Sequence, residues 1–168
     1  MKKIKLNMPK SIHEEQEIIS IDMNQETPLA QISNSQLLIL SLKVTSLNLK
    51  TLHRNLTGGD WFVIHPLIGD YYDKIDEFED IIIENLMPLG VKDIEVRIDE
   101  RAPIIEARNY EEQEAMRLVK AMFDNILNLT QEVRKEIDIP TSVAPIFDEI
   151  ENWLHVESNY KLNKYLGK

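Results

Sequence analysis

Four stretches of the sequence place apolar residues at helical spacing, and the segments between them restrict how such helices can be connected. The predicted helices cover about residues 28–56, 60–88, 109–138 and 141–166. A Gly-Gly turn separates the first two helices and a Pro-containing turn separates the last two, so each pair is joined tightly. Helices joined by such short turns lie antiparallel side by side. The sequence therefore predicts an all-α four-helix bundle made of two helical hairpins.

The connection between the two hairpins is long and contains no strong helical period. It runs over about residues 91–108, and its segment 102–107 is predicted to form a short helix. The alternation of Ile94, Val96 and Ile98 leaves a short strand open as the alternative. A four-helix bundle with one long crossover between its second and third helices has ferritin-like connectivity.

The predicted helix starts and core positions follow from residue type. Thr27 is predicted to cap the first helix with Pro28 in its first turn, and Asp60 is predicted to cap the second. The apolar stripes assigned to the core include Leu47 in the first helix, Phe62 in the second and Tyr160 in the fourth.

The chain divides by composition into a polar arm, residues 1–27, and the bundle, residues 28–168. The first ten residues of the arm carry four lysines, whereas the whole chain has a net charge of −10 and a pI near 4.9. A negative field attracts cations and repels nucleic acid phosphates. We therefore expect any DNA binding to depend on the arm.

Some kinds of site and location are excluded or disfavoured by composition. The chain has no cysteine, so disulfides and thiolate metal sites are excluded and any metal must bind through nitrogen and oxygen. It contains no apolar run of the ~18 residues that span a bilayer. The start, MKKIKLNMPK, lacks the features of a signal peptide. We expect a cytoplasmic protein that does not associate with membranes.

Two histidines and two carboxylates form the candidate metal site: His53, His65, Asp80 and Glu84. His65 and Asp80 lie in one predicted helix, where fifteen residues rise about 22 Å, so one metal ion cannot bind both in one chain. The tight turn brings His53 beside His65, while Asp80 and Glu84 share a face near the far end of the helix. Such an acidic stripe is usually a solvated face, although like charges at this spacing cost a few tenths of a kcal/mol. If the four residues share a site, it spans a symmetric interface between two copies.

The usual di-iron site inside a single bundle is excluded by the sequence. That site takes Glu-x-x-His motifs from two helices. No Glu-x-x-His occurs in the chain, and the nearest pair, Glu151 and His155, is spaced one residue too far apart.

The same residues resemble the signature of the Dps family of miniferritins. The family pattern is an H-x-N-x-x-G segment, a second His twelve residues after the first, and Asp-x-x-x-Glu in the same helix. In this sequence the pattern is matched from His53 to Gly58, at His65 and from Asp80 to Glu84. The helical layout agrees over about residues 28–166.

The resemblance implies a ferroxidase that stores iron. It implies a hollow homododecamer with metal sites at twofold interfaces, built from His53, His65, Asp80 and Glu84. There Fe(II), as substrate, would be oxidised, preferentially by hydrogen peroxide, and stored as ferric mineral. Consuming Fe(II) and hydrogen peroxide together would protect against oxidative damage.

The chain departs from the family pattern near the proposed ligands. The family usually has Trp after the first His, where this chain has Arg54, and an acidic residue four positions after the second His, where this chain has Gly69. Asp70 and Asp73 are the candidate additional ligands. In the fourth helix Pro145 takes the place of an Asp near the threefold pore, with Asp148 as a candidate substitute.

Two other functions remain open from the sequence. One is a Dps-like shell that binds and compacts DNA through the Lys-bearing arm, since many copies of a basic arm bind multivalently. The other is a structural bundle with an inactive metal site.

Overall fold

The computed structural model describes residues 32–93 and 104–167, and the predicted arm lies outside these ranges. The described part contains four principal helices, which confirms the helical prediction: α1 (Asn34–Asn55), α2 (Trp61–Leu86), α3 (Glu112–Glu136) and α4 (Ala144–Leu154). After α4 the chain continues as a π-helical segment (His155–Leu162) and a last helical turn, α5 (Asn163–Tyr165). None of the helices in the described ranges is both long and apolar enough to cross a membrane.

The first helix begins later than the sequence predicted. Its N-cap is Ser33, because the Ser33 hydroxyl accepts from the Gln36 backbone N–H at 3.2 Å and the Gln36 side chain accepts from the Ser33 N–H at 3.3 Å. This capping box satisfies two of the backbone donors that a helix start leaves unpaired. The predicted cap at Thr27 and Pro28 is therefore wrong as the start of α1. Glu136, at the end of α3, accepts from the Asn34 N–H at 2.8 Å.

A short parallel strand pair joins the other ends of the same two helices. Strand β1 (Leu56–Thr57) follows α1 and pairs with β2 (Tyr110–Glu111), which precedes α3. The start of α1 thus contacts the end of α3, and the end of α1 lies beside the start of α3. The two helices run antiparallel. A two-residue strand is too short to show a period, so the sequence did not predict this pair.

The start of α2 is stabilised differently from the prediction. The Asp60 side chain makes no capping hydrogen bond; instead the Asp60 N–H donates to the carboxylate of Glu112 in α3. At its other end α2 passes into a 3₁₀ turn (Met87–Leu89) and stops at Gly90, whose φ is +89°. That left-handed conformation favours glycine.

The crossover is described only at its two ends. Residues 104–107 are not helical, so the described part of the predicted short helix at 102–107 is wrong. The Ile105 N–H donates to the side-chain oxygen of Asn48 at 3.0 Å, which attaches this end of the crossover to α1. The alternative strand at 94–98 lies outside the described residues.

The core is built from the inward faces of the helices and contains an aromatic cluster of Tyr71, Phe78, Phe123 and Trp153. Three predicted core residues are exposed instead: Leu47 at 43%, Phe62 at 85% and Tyr160 at 63%. Phe62 lies on the outward face of α2. A step of eighteen positions makes five full helical turns, so Phe62 is on the same side of the helix as the exposed Asp80.

The exposure of Tyr160 follows from the π-helical segment, whose wider turn breaks the 3.6-residue period. The segment turns Glu157 and Ser158 inward. Glu157 accepts from the Tyr71 hydroxyl at 3.0 Å and from Lys161 at 2.6 Å. Ser158 donates to Asp124 at 2.5 Å. These partners satisfy the buried polar groups that the altered period brings inside.

Candidate metal site

The two histidines of the predicted site are in contact. His53 lies in the last turn of α1 and His65 near the start of α2, and their ring centroids are 3.7 Å apart with the planes tilted by 36°. The short connection between the helices, with β1 in it, produces this approach. The structure thus brings together the two residues that the sequence placed at one end of the hairpin.

Two aromatic residues that the sequence analysis did not single out complete this end of the site. Trp61 stacks on His65 with 4.2 Å between ring centroids and 30° between planes. The ring of Tyr72 is nearly perpendicular to that of His53, with 5.5 Å between the ring centroids. Trp61 precedes His65 by four positions, so the two share a helix face, and that spacing is the sequence signal that could have identified Trp61.

Burial and neighbouring positive charge lower the pKa of His53. Desolvation is the largest cause, followed by His65 and then Arg54, while Asp73 acts in the opposite direction. A lowered pKa keeps the imidazole neutral at neutral pH, and a neutral imidazole has a nitrogen lone pair for a metal. The His53 ring is therefore suited to bind a cation through nitrogen.

Gly69 leaves open space beside this pair. A Cβ placed on Gly69 would lie 3.5 Å from Nε2 and 3.7 Å from Cδ2 of His53, which is ordinary van der Waals contact. A Cβ at position 69 would therefore border a His53 ring nitrogen without a clash.

The two candidate additional carboxylates differ in their surroundings. Asp73 lies on the same face of α2 as Gly69, one turn further on, and raises the pKa of His53. Asp70 instead contributes to raising the pKa of Tyr71, on another side of the helix. Of the two, Asp73 is the residue placed to interact with the histidines.

The predicted acidic ligands Asp80 and Glu84 do not join the histidines within one chain. Both are exposed on α2, and a continuous helix places Asp80 about 22 Å along the axis from His65. Within residues 32–93 and 104–167, no three His, Asp or Glu side chains converge as a metal-binding group. Asp148, the candidate substitute on α4, is instead ion-paired with Arg134.

Comparison with known proteins identifies the fold. No protein-family model and no curated protein sequence matches the chain. Among solved structures, it is similar to Dps92 from Deinococcus radiodurans, with a TM-score of 0.67 at 21% identity over 80% of this chain and 84% of that one. It is also similar to a Dps from Microbacterium arborescens in a high-iron form, with a TM-score of 0.66 at 17% identity over 80% of this chain and 91% of that one. The predicted ferritin-like bundle is confirmed: the chain has the fold of these Dps structures.

Proposed function

We propose that the chain is a divergent Dps-type miniferritin that oxidises Fe(II) at sites between two copies and stores the ferric product in a dodecameric shell. The observation that carries the proposal is the contact between His53 and His65, at one end of a hairpin whose second helix exposes Asp80 and Glu84 near its other end. Their spacing matches the Dps pattern, and the fold is that of two Dps structures.

An antiparallel contact between the α2 helices of two copies completes the ligand set. If His65 of one copy lies opposite Glu84 of the other, the same register puts Gly69 opposite Asp80. These positions fall on one outward stripe of α2. The end that carries the histidines and Arg54 would face an acidic end, so the charges are complementary. Two equivalent sites form in each such pair.

The ligand chemistry suits Fe(II) as a substrate. Imidazole and carboxylate ligands with open positions bind iron, and carboxylates also hold the ferric product. When two Fe(II) ions each give one electron to hydrogen peroxide, two protons complete its reduction to two waters, and no free radical is released. We propose hydrogen peroxide as the preferred oxidant, since a pair of Fe(II) ions supplies the two electrons that its reduction takes.

Because position 69 is glycine, the chain lacks the carboxylate that the family pattern would supply there. Asp73 is the nearby carboxylate on the same face, and its charge already acts on His53. We propose Asp73 as the additional ligand in place of the missing one, with Asp70 outside the site.

The direct test is an anaerobic Fe(II) titration of the full-length protein, followed by addition of peroxide. We expect saturable binding and rapid oxidation that the double variant His53→Ala/His65→Ala loses while its assembly stays intact by light scattering. His155→Ala is the matched control, since His155 is an exposed histidine in the π-helical segment and is not one of the proposed ligands. A ~20 kDa monomer at micromolar concentration, or equal rates in the double variant and the parent, would contradict the proposal.

A further inference from the structure

We propose that Trp61 is a positioning residue for the metal site, whose indole holds the His65 ring in the orientation in which it binds a divalent cation. The inference rests on the proposed function and assigns a role to a residue that the ligand pattern does not include. The observation behind it is the stacked contact of 4.2 Å between the two rings.

Ring contacts are what orient His65. A metal-binding histidine is ordinarily held by a hydrogen bond from its second ring nitrogen to a carboxylate or carbonyl. Among the described residues His65 makes no such hydrogen bond, and its contacts are the rings of His53 at 3.7 Å and Trp61 at 4.2 Å. His53 is itself a proposed ligand, so its contact with His65 belongs to the metal site. Trp61 is thus the contact able to hold the ring before metal arrives.

The position of Trp61 favours such a role. It is the first residue of α2, where a large apolar side chain has no helical turn before it to pack on, yet only 37% of it is exposed. The adjacent Phe62 is 85% exposed, and its ring is nearly perpendicular to that of Trp61 with 5.3 Å between the centroids. Trp61 therefore contacts rings on two sides, and the one stacked with near-parallel planes is that of His65.

The indole also favours the metal-bound form over the empty one. An imidazole that binds a divalent cation takes on positive charge, and the face of an indole is the strongest cation–π partner among the side chains. Loss of the aromatic face should therefore weaken metal binding rather than the fold. Replacing Trp by Phe keeps a face, whereas replacing it by Leu keeps bulk and removes the face.

The test measures Co²⁺ binding to the full-length protein by calorimetry and by the visible absorption of the bound ion. We expect Trp61→Phe to bind within about threefold of the parent and Trp61→Leu to bind about tenfold more weakly, with an altered Co²⁺ spectrum. Trp153→Phe, which changes the other tryptophan in the buried aromatic cluster, is the matched control and should bind as the parent does.

Fluorescence gives a second readout. In Trp153→Phe the remaining tryptophan is Trp61, and its emission should be quenched in step with Co²⁺ binding; in Trp61→Phe the quenching should be much smaller. Equal affinities and spectra for Trp61→Leu and Trp61→Phe would overturn the role of Trp61 alone. If instead the parent binds no Co²⁺, or His65→Ala binds as tightly as the parent, the proposed site itself is wrong.

Discussion

The division of the ligands between two copies can be tested by complementation of two inactive variants. One variant, His53→Ala/His65→Ala, lacks the imidazoles, and the other, Asp80→Asn/Glu84→Gln, lacks the carboxylates. The acidic positions are exposed, so their replacement by amides should change stability by no more than about 0.5 kcal/mol. Each variant alone should bind Fe(II) weakly and oxidise it slowly.

The expected rescue has a magnitude fixed by twofold symmetry. When equal amounts of the two variants assemble at random, half of the twofold pairs are mixed. In a mixed pair, one site takes its histidines and its carboxylates from the mutated halves, and the other takes both from intact halves. One site in two is therefore complete in half of the pairs, so roughly a quarter of the parental activity should return.

The assay is the appearance of ferric absorbance after peroxide is added to anaerobic Fe(II) and co-expressed, co-assembled protein. Mixing the assembled variants after purification is the control, and light scattering of tagged subunits checks that the shells do not exchange; without exchange the mixture should stay inactive. A co-assembled sample no more active than either variant would refute the shared site. Full activity in the acidic variant alone would show that Asp80 and Glu84 are not ligands.

Three further outcomes follow from the same geometry. Gly69→Asp should tighten anaerobic Fe(II) binding about tenfold, whereas Gly69→Ala, which adds only the Cβ, should not. Equal Fe(II) affinities of these two variants in titration would contradict the placement of residue 69 beside His53. Asp73→Asn should weaken Fe(II) binding severalfold and Asp70→Asn should leave it unchanged, and the reverse order would exclude Asp73 as a ligand. In gel-shift assays at ~150 mM salt we expect no DNA binding, and at low salt at most a weak shift that deletion of residues 1–10 removes; a salt-resistant shift would support the DNA-compacting alternative.

The helices α1, α2 and α3 were predictable because an amphipathic pattern with a 3.6-residue period that continues for more than twenty residues leaves little ambiguity. Their ends were not, since they depend on particular hydrogen bonds. Ser33 caps α1 through Gln36, and the start of α2 is bonded to Glu112, a residue distant in the sequence. The π-helical segment changes the period locally, so Tyr160 faces outward. A pattern based on 3.6 residues per turn cannot anticipate that change.

The candidate site was predictable in part. Spacing alone placed His53 beside His65, and the contact is present. The sequence could not choose between Asp70 and Asp73, because the choice depends on how α2 is rotated against α1. The stacking of Trp61 likewise depends on a side-chain orientation that no motif encodes. The assignment of Asp80 and Glu84 to the same site remains a prediction.

The charges on the outward stripe of α2 connect metal binding to assembly. In the antiparallel pairing proposed above, Asp73 of one copy lies opposite Asp76 of the other, so four carboxylates meet near the twofold axis. Lys50 of the same chain neutralises Asp76 through an ion pair of 2.7 Å, which leaves the Asp73 carboxylates to repel one another. A cation bound at His53 and Asp73 would offset that repulsion, and a ligand that binds only the associated form stabilises it. The same acidic residues that disfavour association of the empty chains would then make the iron-loaded interface the more stable one.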